Sequence, residues 1–245
     1  MSARSVAIEC FSEGFVRHRP DHSVVAIDVI RATTTAITAV ALGRRCYPVA
    51  SLEAAEELRR RLSDPLLAGE LGGNMPFAFD VQNSPAELVS RKDTHRPLVL
   101  LSSNGTQLMA HAAAGYQQAF VACLRTVAAQ AEALREHRRV LILGAGTRGQ
   151  FREEDQLCAA WIAERLLASG HAPADARTAA LVERWSGSRP DVLRDGRSAA
   201  YLTASGQTAD LEFVLEHVDD LSCAYRLQRG EVVAAPEAAL VSAHA

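Results

Sequence analysis

Val24-Val25-Ala26-Ile27-Asp28-Val29-Ile30-Arg31-Ala32-Thr33-Thr34-Thr35 decides how the rest of the chain is read. Val24 to Val29 suits a strand buried on both faces of a sheet, and Thr34 to Leu42 then reads as helix. The same order recurs along the chain. Val6 to Cys10, Cys46 to Val49, Leu66 to Ala68, Leu98 to Leu101, Ala119 to Ala122 and Val140 to Leu143 read as further strands. Leu52 to Leu62, Gln107 to Ala114, Thr126 to Glu136 and Glu153 to Ala168 read as helices between them. Ser84-Pro85-Ala86-Glu87 opens another helix, with a capping Ser, Pro at its first position and Glu at its third. This alternation predicts an α/β fold, three layers α/β/α with a mainly parallel, mixed sheet. After Gly170 the rhythm weakens into a C-terminal α+β extension. Helices are expected near Ala174 to Glu183 and Asp191 to Ala204, then a strand pair from Ala224 to Ala234 turning near Gln228 to Gly230. No linker or repeat breaks the 245 residues, so one domain over 1–245 is expected, with 171–245 as a candidate subdomain.

Composition removes whole classes of function. At 48% hydrophobic and 22% charged the chain can bury a full core, which excludes disorder. The balance of 26 Lys+Arg against 29 Asp+Glu offers no basic excess for nucleic acid or an anionic membrane. Lys92 is the only lysine, and it sits in the polar run Ser90-Arg91-Lys92-Asp93-Thr94. A buried Schiff-base lysine or a phosphate-loop lysine therefore has no candidate. Cys10, Cys46, Cys123, Cys158 and Cys223 lie far apart without a Cys-x-x-Cys, as expected for free thiols in a reducing compartment. The first ten residues lack the apolar stretch of a signal peptide, and no run approaches the ~20 apolar residues of a membrane helix. A soluble cytoplasmic protein is expected.

In a parallel sheet, ligands bind beyond the carboxyl ends of the strands, and four loops there carry unusual chemistry. In the first, Asp28 ends a strand, Arg31 follows, and Thr33, Thr34 and Thr35 open a helix, a set suited to Mg²⁺ and an anion. Equally, Thr33 could cap the helix and Asp28 pair locally with Arg31. The second, Leu66-Leu67-Ala68-Gly69-Glu70-Leu71-Gly72-Gly73-Asn74, sets one acid among glycines, as a metal ligand, a base or a solvated turn residue. Asn83 and Ser84 follow, at a helix start. The third, Ser102-Ser103-Asn104-Gly105-Thr106, presents donors to an oxyanion without a lysine. The fourth, Gly144-Ala145-Gly146-Thr147-Arg148-Gly149, matches a dinucleotide fingerprint literally, but Glu164, the acid at the required spacing, lies within the following helix. That argues against NAD and leaves an anion loop with Arg148. Glu153, Glu154 and Asp155 then open a helix, where acids also complement the dipole. Asp155 shares a face with Cys158 and Ile162, so it points inward. His18 and His22 have metal spacing, which Pro20 spoils, and Ser186-Gly187-Ser188 lacks a nucleophile elbow.

Together and in this order, these loops resemble the 2-phosphosulfolactate phosphatase family over nearly the whole chain. The matching pieces are Asp28-Val-Ile-Arg31-Ala-Thr-Thr-Thr35, Gly69-Glu70-x-Gly72-Gly73, Asn83-Ser84-Pro85, Asn104-Gly105-Thr106, Gly146-Thr147-Arg148-Gly149, Glu154-Asp155-x-x-Cys158-Ala159 and Gly206-x-x-x-Asp210-Leu211-Glu212-Phe213. The resemblance implies a Mg²⁺-dependent phosphatase of α/β/α fold, cleaving the phosphate monoester of a sulfonated lactate in the coenzyme M route. Leu71 stands where the family usually has arginine, and Gln82 and Ala160 where glycine is usual. The Leu71 change predicts a shift away from doubly anionic substrates.

Asp28, Glu70 and Asp155 are the expected catalytic residues, and with Glu154 the candidate Mg²⁺ ligands. Asp28 is also the second choice for a covalent nucleophile. Arg31 and Arg148 would clamp phosphate. Thr33, Thr34, Thr35, Gly73, Asn83, Ser103, Asn104, Gly105, Thr106, Gly146 and Thr147 would line the substrate. Ser103 and Thr106 have no histidine or lysine placed to activate them, and Cys158 reads as packing. The partner is then a small phosphorylated acid, with no nucleic acid or membrane, and a homodimer stays open. A catalytically silent phosphate- or nucleotide-binding α/β protein is the competing reading, though four acids near one site add nothing to anion binding.

Overall fold

Strands and helices alternate throughout the computed structural model, which describes residues 4–10, 21–146 and 150–235. The strands are β1 (Ser5–Cys10), β2 (Ser23–Ile27), β3 (Cys46–Val49), β4 (Leu66–Gly69), β5 (Leu98–Leu101), β6 (Gln118–Ala122), β7 (Arg139–Gly144), β8 (Ala172–Pro173), β9 (Tyr225–Gln228) and β10 (Glu231–Ala234). The helices are α1 (Ala32–Ala41), α2 (Leu52–Arg61), α3 (Pro85–Ser90), α4 (Gly105–Gly115), α5 (Val127–Leu134), α6 (Glu153–Ala168), α7 (Ala176–Trp185), α8 (Arg197–Ala204) and α9 (Thr208–Glu216). The fold is three-layer α/β with a mainly parallel, mixed sheet, as the alternation requires.

One ten-stranded sheet runs in the order β4-β5-β3-β10-β9-β6-β2-β7-β1-β8. Within β4-β5-β3 and within β6-β2-β7-β1-β8 every pairing is parallel. The β9–β10 hairpin joins these blocks, and its pairings with β3, with itself and with β6 are all antiparallel. Three reversals make the blocks run in opposite senses. A flat sheet would then put their carboxyl ends on opposite edges. They meet instead: a Cβ added to Gly105, after β5, would lie 2.1 Å from Asp28 Oδ2, after β2. The sheet is therefore curled, in the direction that strand twist allows.

The apolar layers fit that curl. Val25, Ile27 and Ile142 pack with Leu157, Ile162 and Leu166 of α6 on the outer face of the larger block. Val49, Val99 and Leu101 pack with Ala55 of α2 outside the smaller block. The alternate residues Val24, Ala26, Leu98 and Leu100, from both blocks, share one cluster with Ala36 and Ile37 of α1 and Leu108 and Met109 of α4. Helix α1 is thus enclosed, with every residue from Ala32 to Ala39 buried, which explains its small residues and missing polar face. Asp175 caps α7 by accepting from Thr178 N at 2.7 Å, which starts that helix later than the sequence pattern suggests. The helix expected over Asp191 to Ala204 is divided: extended backbone at Gly196 separates a 3₁₀ turn, Pro190–Asp195, from α8. Helix α9 follows a turn at Gly206 with φ +73° and was not anticipated as an element. No helix among the described residues is long and apolar enough to cross a membrane.

Candidate active site

Three loops at the carboxyl ends of strands are latched by a threonine. Thr33 Oγ1 accepts from Asp28 N at 3.0 Å and donates to Asp28 O at 2.8 Å. Thr106 Oγ1 does the same for Ser102, accepting at 2.8 Å and donating at 3.0 Å. Thr126 repeats it more loosely on Cys123, at 3.3 and 3.2 Å. Each hydroxyl satisfies a backbone N–H and C=O that the strand has just released and the helix cannot yet take. Thr34 donates to Val29 O at 2.7 Å, and Thr35 Oγ1 is buried without a partner. Thr33, Thr34 and Thr106 therefore shape the loops, and neither they nor Thr35 line the cavity that the loops enclose.

That cavity has a volume of about 530 Å³. Asp28, Arg31, Glu70, Gly73, Asn83, Ser103 and Asn104, all read from the sequence as site residues, line it. So do Arg152, Arg197, Ser198 and Tyr201, which sequence reading missed. Gly105 is placed by proximity, since only a residue without Cβ lets α4 begin against the Asp28 carboxylate. Gly73 has φ +87°, and a Cβ there would meet the Tyr201 hydroxyl at 2.1 Å, which donates to Gly73 O at 3.1 Å. Gly146 is buried beneath the site, and its N–H serves the Asp155 carboxylate. Thr147 and Arg148 lie outside the described residues, as does His18.

Four acids converge, with different freedoms. Glu70 is a staple between loops: Oε1 accepts from Ser103 N at 2.8 Å, and Oε2 from Gly73 N at 2.8 Å and Ser103 Oγ at 3.0 Å. Asp155 is buried, with Oδ1 accepting from Val29 N at 2.9 Å, and it does not face the cavity. Glu154 is buried and reaches the cavity through Ser198, whose hydroxyl donates to Oε1. Asp28 presents its carboxylate to the cavity, with one weak bond, from Ala32 N at 3.3 Å. Burial first, then the charges of Glu70 and Glu154, push the Asp28 carboxyl up to about 7. Burial, with the charge of Glu153, raises Glu154, and burial with the charges of Asp28 and Glu154 raises Asp155.

The cations are arginines. Arg31 Nη1 donates to Asp210 Oδ2 and Gln207 Oε1. Arg197 is held by Gln150, and Arg152 has a buried Nε with no partner. Asn83 is buried with its Oδ1 unpartnered in the cavity wall. Arginine side chains and an amide thus share one cavity with the crowded carboxyl of Asp28.

Does Mg²⁺ suit that patch? No group of three or more His, Cys, Asp or Glu side chains among the described residues forms a ready cage. Mg²⁺ needs only one or two carboxylates and keeps several waters. Asp28 fits, since burial and its acidic neighbours favour a proton that a cation could replace, and Glu70 keeps lone-pair capacity beyond its three donors.

The family model described as 2-phosphosulpholactate phosphatase matches residues 12–228. The chain belongs to the 2-phosphosulpholactate phosphatase family. Among relatives, a probable 2-phosphosulfolactate phosphatase of Deinococcus radiodurans is 35% identical over 81% of this chain and 85% of its own length. The 2-phosphosulfolactate phosphatase of Methanothermobacter thermautotrophicus is 35% identical over 81% and 84%. A probable 2-phosphosulfolactate phosphatase of Pseudothermotoga lettingae is 38% identical over 59% of this chain and 62% of its own length. Membership places the chain among phosphoric monoester hydrolases.

Leu71 does not line the cavity. Its side chain packs against the Val49, Leu67 and Val99 cluster under α2. The substrate shift expected from that position therefore has no direct cavity contact of Leu71 behind it. Cys158 is buried in the core, its thiol pushed well up by burial, in line with a packing role.

Proposed function

We propose that the chain hydrolyses the phosphate monoester of a small 2-hydroxy acid with the help of Mg²⁺. The observation that carries this is the Asp28 carboxylate, directed into an arginine-lined cavity and crowded by other acids until it holds its proton near neutrality. A pure anion binder gains nothing from such a group. Asp28 and Glu70 would hold Mg²⁺, which when bound neutralises the phosphoryl charge. Arg31, Arg152 and Arg197 offer fork-shaped donors to phosphate and carboxylate oxygens. Asn83 would accept from a protonated phosphoryl oxygen, since the substrate's own 2-hydroxyl is esterified. Asp155, through Val29 N, keeps the Asp28 loop in place. Water gives its hydroxyl to phosphorus and its proton to the leaving alkoxide, yielding the free hydroxy acid and phosphate.

Relatives named 2-phosphosulfolactate phosphatase make that compound the first to assay. Phosphate release from it, and from phosphoglycolate and phospholactate, should require Mg²⁺ and stop in excess EDTA. Full turnover by demonstrably metal-free protein would overturn the metal assignment. Phosphate binding without turnover of any of the three would favour the silent binder.

A further inference from the structure

Arg31 lies in the loop after β2, yet its anchor comes from a distant helix. Its Nη1 donates to Asp210 Oδ2 of α9. The other oxygen of Asp210 is also engaged: Oδ1 accepts from Ser84 Oγ at 2.6 Å and from Ala86 N at 3.1 Å. Ser84 is the N-cap of α3, accepting from Glu87 N at 3.0 Å. Asn83, which lines the cavity and has a buried Oδ1 without a partner, is the residue before that cap.

Asp210 is buried and does not line the cavity. One carboxylate thus fixes a cation of the cavity with one oxygen and the entry to an amide of the cavity with the other. Holding α9 against α3 would need only the Oδ1 contacts and the apolar side chains of α9, such as Leu211 and Val214. The Oδ2 contact is additional, and its partner faces the ligand space. A buried arginine paired on one edge keeps its remaining N–H groups directed, so less freedom is lost when an anion arrives.

We infer that Asp210 is a positioning residue, setting Arg31 and Asn83 in register so that both meet the substrate's phosphoryl group. This rests on the assignment of Arg31 to phosphate binding above. Asp210→Asn keeps the size and an acceptor for Ser84 and Ala86, but sets an uncharged group against a guanidinium that can only donate.

The test is a double-mutant cycle with Arg31→Gln, read by calorimetry of inorganic phosphate binding and by kcat/KM. Asp210→Asn should weaken phosphate binding about tenfold in the wild-type background and by no more than about twofold in Arg31→Gln, because linked residues are non-additive. Asp210→Glu, which restores the charge one methylene away, should recover part of the loss. If Asp210→Asn does not fold, Asp210→Glu carries the same cycle, with loss in the wild type and none in Arg31→Gln. Equal losses in both backgrounds overturn the positioning role alone. Wild-type protein that binds no phosphate, or binding indifferent to Arg31→Gln, overturns the underlying assignment as well.

Discussion

Asp28 combines the two costs that active-site carboxylates carry, burial and like charge. Its carboxyl stands at about 7 in the folded chain against about 3.9 in an unfolded one. The folded state then holds more protons than the unfolded state between those values, so stability falls as pH rises from about 4 to about 7. Glu154 and Asp155, raised in the same direction, add to that fall. Asp28→Asn should therefore raise the Tm of metal-free protein at pH 8 while leaving it nearly unchanged at pH 4. Thermal melts in EDTA check this, and an equal gain at both pH values would contradict it. The same variant should lose activity by about a thousandfold or more, whereas Cys158→Ala should stay within about threefold of wild type, since its thiol behaves as a small hydrophobe. At this scale the sequence was readable where chemistry and position coincide. Asp28, Arg31, Glu70, Asn83, Ser103 and Asn104 follow strands or open helices, and all line the cavity. Thr33 and Thr106 do not, because a hydroxyl beside a free backbone N–H is used there first. Arg152 stands between the glycines that follow β7 and the acids that open α6, and Arg197, Ser198 and Tyr201 lie on α8, which follows no strand.

Each threonine latch replaces a missing turn of hydrogen bonds between strand and helix, so its worth belongs to the element. Thr106→Val keeps the shape but leaves Ser102 N buried and unpaired, which should cost about 1–3 kcal/mol in urea denaturation. A change below a few tenths would mean that water replaces the hydroxyl. Gly105→Ala tests the approach of α4 to β2: its methyl would fall on Asp28 Oδ2. Activity should drop about tenfold or more from displacement of that carboxylate, with the far-ultraviolet spectrum retained. Helix α8 supplies one wall of the cavity, so Arg197→Ala should raise KM more than it lowers kcat. Most elements were legible because apolar runs and caps are local properties. The split at Gly196 and the existence of α9 were not, because short amphipathic helices on a weakening pattern owe their ends to tertiary contacts such as Asp210 with α3.

The whole molecule depends on a hairpin placed between two blocks of opposite sense. Val232 of β10 pairs with Cys46 and is buried in the cluster that both blocks share. Val232→Asp should therefore abolish cooperative folding of the entire chain, with loss of activity and near-ultraviolet signal in one transition. Two separated transitions would show that the blocks fold independently. Sheet order and the reversal of the blocks could not be read from sequence, because pairing between strands so far apart is decided by the closed structure rather than by any local pattern. The contact between Arg31 and Asp210 joins residues 179 positions apart. A ribosome adding about 5–20 residues per second takes on the order of ten seconds or more to make that interval. Throughout it the nascent chain already exposes Asp28 and Arg31 but cannot yet seat Arg31 against Asp210. The anchor of Arg31 is consequently complete only once α9 has been made.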